Sequence, residues 1–239
     1  MIPWSIARVG LLCHIGVLLT LIGGCSALRS PATLPPAFYS LDSASGESES
    51  ARTARAAGSI GAPALIVNPP QAAAGFDSRR IIYVRAAHRL DYFAHSEWVD
   101  TPARMLAPLI VAVIESSGTF RSVLLAPTAA AGELRLDTEI LRLQQDFSSQ
   151  PSRVRFTLRA HIVDHTTRRV LASRVFDESV AAATEDPYGG VVSANRAVQS
   201  VLEQLAGFCT TVVVQSQTAA AEAAKQVVEP TPSLPSHGS

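Results

Sequence analysis

From Arg153 to Asp164 the chain alternates with a period of two. Val154, Phe156, Leu158, Ala160 and Ile162 fall on one side, and Arg153, Arg155, Thr157, Arg159 and His161 on the other. That pattern predicts a strand with one buried face and one wet face. Upstream, GELRLDTEILRLQQDF also alternates, but its apolar parity shifts between Ile140 and Leu141. Both halves can face one core only across a β-bulge or a strong local twist. Downstream, HTTRR turns the chain back into VLASRVFDESV. Residues 133–147, 153–164 and 170–180 therefore predict a three-strand antiparallel meander.

Elsewhere the pattern changes period. After a capping Thr101 and a first-turn Pro102, Leu106, Leu109, Ile110 and Val113 recur at helical spacing, and Gly118 closes the segment. A second helix starts soon after Pro187, with Val191, Ala194, Val198, Val201, Leu202, Leu205, Phe208, Cys209 and Val212 as its apolar stripe. FYSLD (38–42) and ALIVNPP read as short strands, and 81–85 and 90–93 as two more joined by 86–89. The expected architecture is α+β: a single domain with a mainly antiparallel sheet and two helices packed on one face.

The front of the chain follows a different logic. Residues 9–22 are almost wholly apolar, the length of a signal-peptide core and short of a bilayer span. Two small residues, Gly23 and Gly24, then precede Cys25. Ile22-Gly23-Gly24-Cys25 resembles the lipobox of bacterial lipoproteins, which implies cleavage before Cys25 and lipid on its thiol. Several acyl chains at about 0.8 kcal/mol per buried CH₂ anchor a chain stably where one does not. The expected organisation is a signal peptide at 1–24, a lipid-anchored tether at 25–37 and a domain at 38–217. The domain contains a Ser/Ala/Gly-rich loop at 43–62, and an Ala/Pro/Ser-rich disordered tail follows at 218–239.

Composition narrows the function classes. Twenty basic and twenty acidic residues give no excess of positive charge for nucleic acid. Of three cysteines, Cys13 leaves with the signal and Cys25 is lipidated. Cys209 is left alone on the apolar helix stripe, read as a small buried hydrophobe. HIVDH holds His161 and His165, but on an extended segment they stand about 13 Å apart, too far to share one metal. His88, Arg89, Asp91, His95, Glu97 and Asp100 read as a solvated loop and helix entry. Neither a phosphate loop nor a nucleophile elbow is present. The reading is non-catalytic, with no cofactor and no metal. The row Arg153, Arg155 and Arg159 is expected to pair with acids such as Asp137 and Glu139 on the neighbouring strand.

Taken in order, several of these stretches resemble one family, the ABC-type transport auxiliary lipoproteins. They are FYSLD, ALIVNPP, Tyr83-Val84-Arg85, Tyr92-Phe93-Ala94 with Trp98, and LRLDTEILRLQQDFSSQPSRVRFTLRAHIVD. The resemblance covers roughly 38–212. It implies a periplasmic lipoprotein that accompanies an ABC system with an MCE-domain protein and moves phospholipids or other hydrophobic molecules. The implied location is the periplasmic side of the Gram-negative outer membrane rather than the inner membrane. Tyr83, Tyr92 and Trp98 are the expected partner surface, because such rings anchor interfaces. A homo-oligomer stays open. So do two other readings: a lipid carrier that holds an acyl chain between sheet and helices, and a plug or scaffold for an outer-membrane assembly.

Overall fold

The computed structural model describes residues 35–42 and 61–228. Cys25, the signal segment, most of the tether, residues 43–60 of the loop and residues 229–239 of the tail lie outside the described residues. The chain order is β1 (Ala37–Tyr39), β2 (Ala64–Val67), β3 (Gln71–Ala72), β4 (Arg80–Ala86), β5 (Arg89–Trp98), α1 (Pro102–Ser116) and β6 (Ser122–Leu125). Then come β7 (Leu134–Asp146), β8 (Arg153–Asp164), β9 (Val170–Ala181) and α2 (Pro187–Val228).

The meander is present as β7, β8 and β9, paired antiparallel in that order. Its parity break is a bulge: the β7–β8 register slips between Ile140 and Arg142. Leu134, Leu136, Thr138 and Ile140 point inward before the slip, and Leu143 and Gln145 after it. The extra residue, Leu141, lets both halves of one long strand serve one core.

The sheet as a whole is mixed, not mainly antiparallel. β7 is its spine. One edge of β7 holds β8; the other takes β2, β3 and β4 end to end, all parallel, through Leu65↔Leu134, Gln71↔Glu139 and Tyr83↔Gln145. β6 adds to β2 and β1 to β5, again in parallel, while β4 and β5 form an antiparallel hairpin. The nine described strands make one sheet. The physical reason lies in the path. Residues 64–86 travel in one direction along β7, interrupted at Pro69 and Pro70. A later excursion through β5, α1 and β6 brings the chain back to enter β7 in that same direction. β2 is buried at all four positions, as a strand covered on both faces should be.

α1 starts after Thr101 as expected, but Thr101 makes no side-chain capping bond; its own N–H donates to Asp100 Oδ1 at 2.8 Å. Gly118 closes the helix at φ +66°, in the left-handed region glycine enters without strain. The buried stripe runs Leu106, Ile110 and Ile114, with Leu109 and Val113 on its flank. α2 buries every residue of its expected stripe except Phe208, which packs partly exposed against Phe176 at 5.9 Å. It also continues to Val228, eleven residues into the expected tail. Residues 187–219 are long and apolar enough to cross a membrane, but half of their qualifying 18-residue window is buried in the domain. Leu158, Ile162, Leu205 and Ile110 mark a core shared by the sheet and both helices.

Candidate functional site

β4 and β5 meet at a two-residue turn, Ala87–His88, where His88 takes φ +63°. Strand alternation sends Tyr83 and Arg85 to one face of the hairpin. Ile82 and its register partner Tyr92 go to the other. Tyr83 packs against Phe93 at 4.6 Å and Phe147 at 5.7 Å between ring centres. The Arg85 guanidinium covers this trio, 4.5 Å from the Phe147 ring and 5.3 Å from that of Tyr83. On the opposite face Arg80 lies 4.1 Å over Tyr92, and at the sheet edge Arg79 lies 5.1 Å over Phe38. Each such contact contributes about 0.5–1 kcal/mol at an exposed site. The hairpin is thus an arginine-on-aromatic surface on both faces.

The three rings expected at the surface separate. Tyr92 is 49% exposed and Tyr83 is half-buried in its cluster. Trp98 is 3% exposed and belongs to the core, so it does not offer its ring to a partner. Alternation along β5 turns Ser96 and Trp98 inward, and Trp98 lines a small void of about 10 Å³ with Leu143, Val154 and Ala194.

The charged residues around the hairpin neutralise one another rather than converge on one point. Arg79 reaches Glu97 at 3.7 Å, Arg89 reaches Asp91 at 3.0 Å and Arg104 reaches Asp100 at 3.3 Å. Among the described residues Arg80 and Arg85 make no ion pair and are held by rings alone.

The wet face of the meander is likewise internally satisfied. Arg159 pairs with Glu139 at 2.9 Å, as expected. Asp137 instead takes Arg135 at 2.9 Å and the Asn68 amide at 2.6 Å. Arg155 grips Asp177 at 2.6 Å, and the Thr157 hydroxyl donates to the same carboxylate. The Arg155 hydrogen bonds hold the Asp177 carboxyl below its usual range. Arg153 donates to Ser179. His161 sits on this wet face, and His165 lies in the turn beyond it, its N–H donating to the Glu133 carbonyl. Cys209 is fully buried, and burial pushes its thiol up to about 12, which makes it chemically quiet.

An open groove of about 450 Å³, unmarked by any periodicity in the sequence, runs between β1 and the start of α2. Phe38 forms one wall and Tyr188 the other, with Val191 and Val192 between them. Asn195 fastens the two walls: its side chain accepts from Asp42 N–H at 2.7 Å and donates to Ser40 C=O at 3.2 Å. The one signal for the groove was Tyr188 itself, an aromatic at the second position of α2 and off its buried stripe.

Among the described residues no group of three or more His, Cys, Asp or Glu side chains is placed to hold a metal ion. A family model described as ABC-type transport auxiliary lipoprotein component matches residues 39–206. Two solved structures share the fold. Protein XCC0632 from Xanthomonas campestris is 23% identical, with 66% of this chain and 89% of that one covered and a TM-score of 0.61. An uncharacterized protein is 10% identical, with 73% and 99% covered and a TM-score of 0.56. At these identities the likeness is one of fold. No curated protein matches the sequence.

Proposed function

The chain belongs to the ABC-type transport auxiliary lipoprotein family, and from that premise we propose that it is the lipid-anchored, non-catalytic adaptor of an ABC transport system. In this reading lipid on Cys25 holds the domain at the periplasmic face of the outer membrane. The domain docks the MCE-domain protein of a system that moves phospholipids or similar hydrophobic molecules. The observation that carries the reading is the extent of the match: residues 39–206 run from the last residue of β1 through most of the buried part of α2. The β4–β5 hairpin is the proposed partner surface, with Tyr92 and Arg80 exposed on one face and Arg85 on the other. Arginine and tyrosine are the side chains that most often carry interface energy.

The carrier alternative has less behind it. The void beside Trp98, between the sheet and α2, is about 10 Å³, room for one water and not for an acyl chain, and the 450 Å³ groove between β1 and α2 is open rather than enclosed. The experiment is a mild-detergent pull-down of the full-length protein from its own envelope, with mass spectrometry of the co-purifying proteins and lipids. An MCE-domain protein should be enriched, and lost at least in part when Arg80 and Tyr92 are both changed to Ala or when Cys25→Ser releases the chain. Lipid without a protein partner would instead support the carrier, and a β-barrel alone would support the plug.

A further inference from the structure

One end of the domain gathers the features a membrane surface would meet. β4 pairs with the last residues of β7, Tyr83↔Gln145 and Val84↔Asp146, so the Ala87–His88 turn lies beyond the end of β7. β9 finishes there too, at Ala181 opposite Arg153, and α2 begins six residues later at Pro187. β1 runs parallel to β5 and starts at Ala37 opposite Ser96. Its upstream direction is therefore back along β5 towards Arg89, at that same end. Phe38, opposite Glu97, stands back from the turn and shares the β1–α2 groove with Tyr188; the two are exposed by 54% and 63%.

We propose that the β1–α2 groove, rather than the hairpin, rests on a phospholipid surface, with its two walls, Phe38 and Tyr188, entering the headgroup layer. The inference rests on lipidation of Cys25 and deepens the anchored reading. Three observations carry it. First, Ala37 is twelve residue steps from Cys25, and at 3.3–3.6 Å each they span about 40 Å at most. The domain cannot move further than that from the leaflet, so even a weak contact is occupied at high effective concentration. Second, the exposed rings have the chemistry of interfacial anchors: an apolar body, and in tyrosine a polar tip. Third, the groove is close to neutral. Arg196 makes no ion pair among the described residues, and the Asp42 carboxylate accepts from Ser40 Oγ at 3.0 Å. A near-neutral rim around an apolar floor suits zwitterionic headgroups better than a strongly charged protein surface.

The test places a nitroxide label at Phe38→Cys, at Tyr188→Cys or at Val170→Cys. Val170 begins β9 at the other end of the sheet and is 60% exposed. Cys209 is buried and takes no label. Each lipidated full-length chain is reconstituted into phosphatidylethanolamine/phosphatidylglycerol vesicles and probed with a water-soluble relaxant. Seating in the headgroup layer should cut relaxant access at 38 and 188 by about threefold or more, relative to the same chain in detergent, with 170 unchanged. Equal access at 188 and 170 overturns the proposal. So does protection of 188 that arises only when a protein partner is added. A protected 188 with no partner captured in the pull-down would leave the membrane contact standing and remove the adaptor; a captured partner with an unprotected 188 would do the reverse.

Discussion

Thr138 is the residue whose environment conflicts most plainly with its chemistry. It faces the core from β7 between Leu136 and Ile140, is 5% exposed, and its hydroxyl has no hydrogen-bond partner among the described residues. A buried unpaired hydroxyl costs about 1–3 kcal/mol. Thr138→Val removes that oxygen and keeps the branched shape that suits a strand. The expected result is a gain of about 1 kcal/mol, read as a higher urea midpoint at unchanged slope. A loss of stability would mean that the hydroxyl has a partner in solution. Gln145 meets the same difficulty in a milder form. Its amide donates to Ser152 Oγ at 2.9 Å, while its unpartnered Oε1 adjoins the small void beside Gly190. A Cβ at position 190 would collide with that oxygen, so any other residue there would push the Gln145 amide aside. Alternation marked position 138 as inward, and nothing in a single sequence could say that its hydroxyl would be stranded there. Trp98 illustrates the converse: its ring chemistry suggested a surface anchor, while β5 turns it into the core.

At the scale of elements, the bulge in β7 is the feature the sequence announced most clearly. Its meaning can be tested by deletion. Removing Leu141 straightens the strand but keeps Leu134, Leu136, Ile140 and Leu143 on one face, because the bulge residue is the one the alternation does not need. Removing Thr138 instead sends Leu134 and Leu136 to the opposite face from Ile140. The Leu141 deletion is expected to fold cooperatively at a cost of about 1–3 kcal/mol, since β4 must slide along β7 by one residue. The Thr138 deletion should lose its near-ultraviolet circular dichroism and its cooperative transition. If both fold equally well, face assignment does not control this sheet. Elements with local periodicity were legible: the meander, the β4–β5 hairpin and both helices. The parallel pairings were not. β2, β3 and β4 are four, two and seven residues long, and their partner β7 lies more than fifty residues away. Alternation within a strand shows which face is buried and leaves open which strand lies alongside.

For the molecule as a whole, α2 is the organising length. Its 42 residues rise about 63 Å at 1.5 Å each. It begins at the end assigned to the membrane, crosses the sheet, and leaves it after Val213, which is 3% exposed; Val214 is 54% exposed. The remaining fifteen residues add about 22 Å beyond the packed domain. An isolated Ala-rich helix of that length is marginal in water, but here nucleation is already supplied by the buried turns that precede it. The described side chains of the extension, residues 214–219 with Ala221, Glu222 and Lys225, are exposed, so they add helix without adding core. Ending the chain after Gln215 is expected to change unfolding free energy by no more than about 0.5 kcal/mol while lowering far-ultraviolet helical signal. A loss of several kcal/mol would show that the extension packs against something within the domain. The same truncation separates the two ends functionally. It removes nothing near Phe38, Tyr188 or the hairpin, so relaxant protection at 188 and capture of the hairpin's partner should both survive it. Loss of the partner alone would move the docking surface from the hairpin to the far end of α2, away from the leaflet.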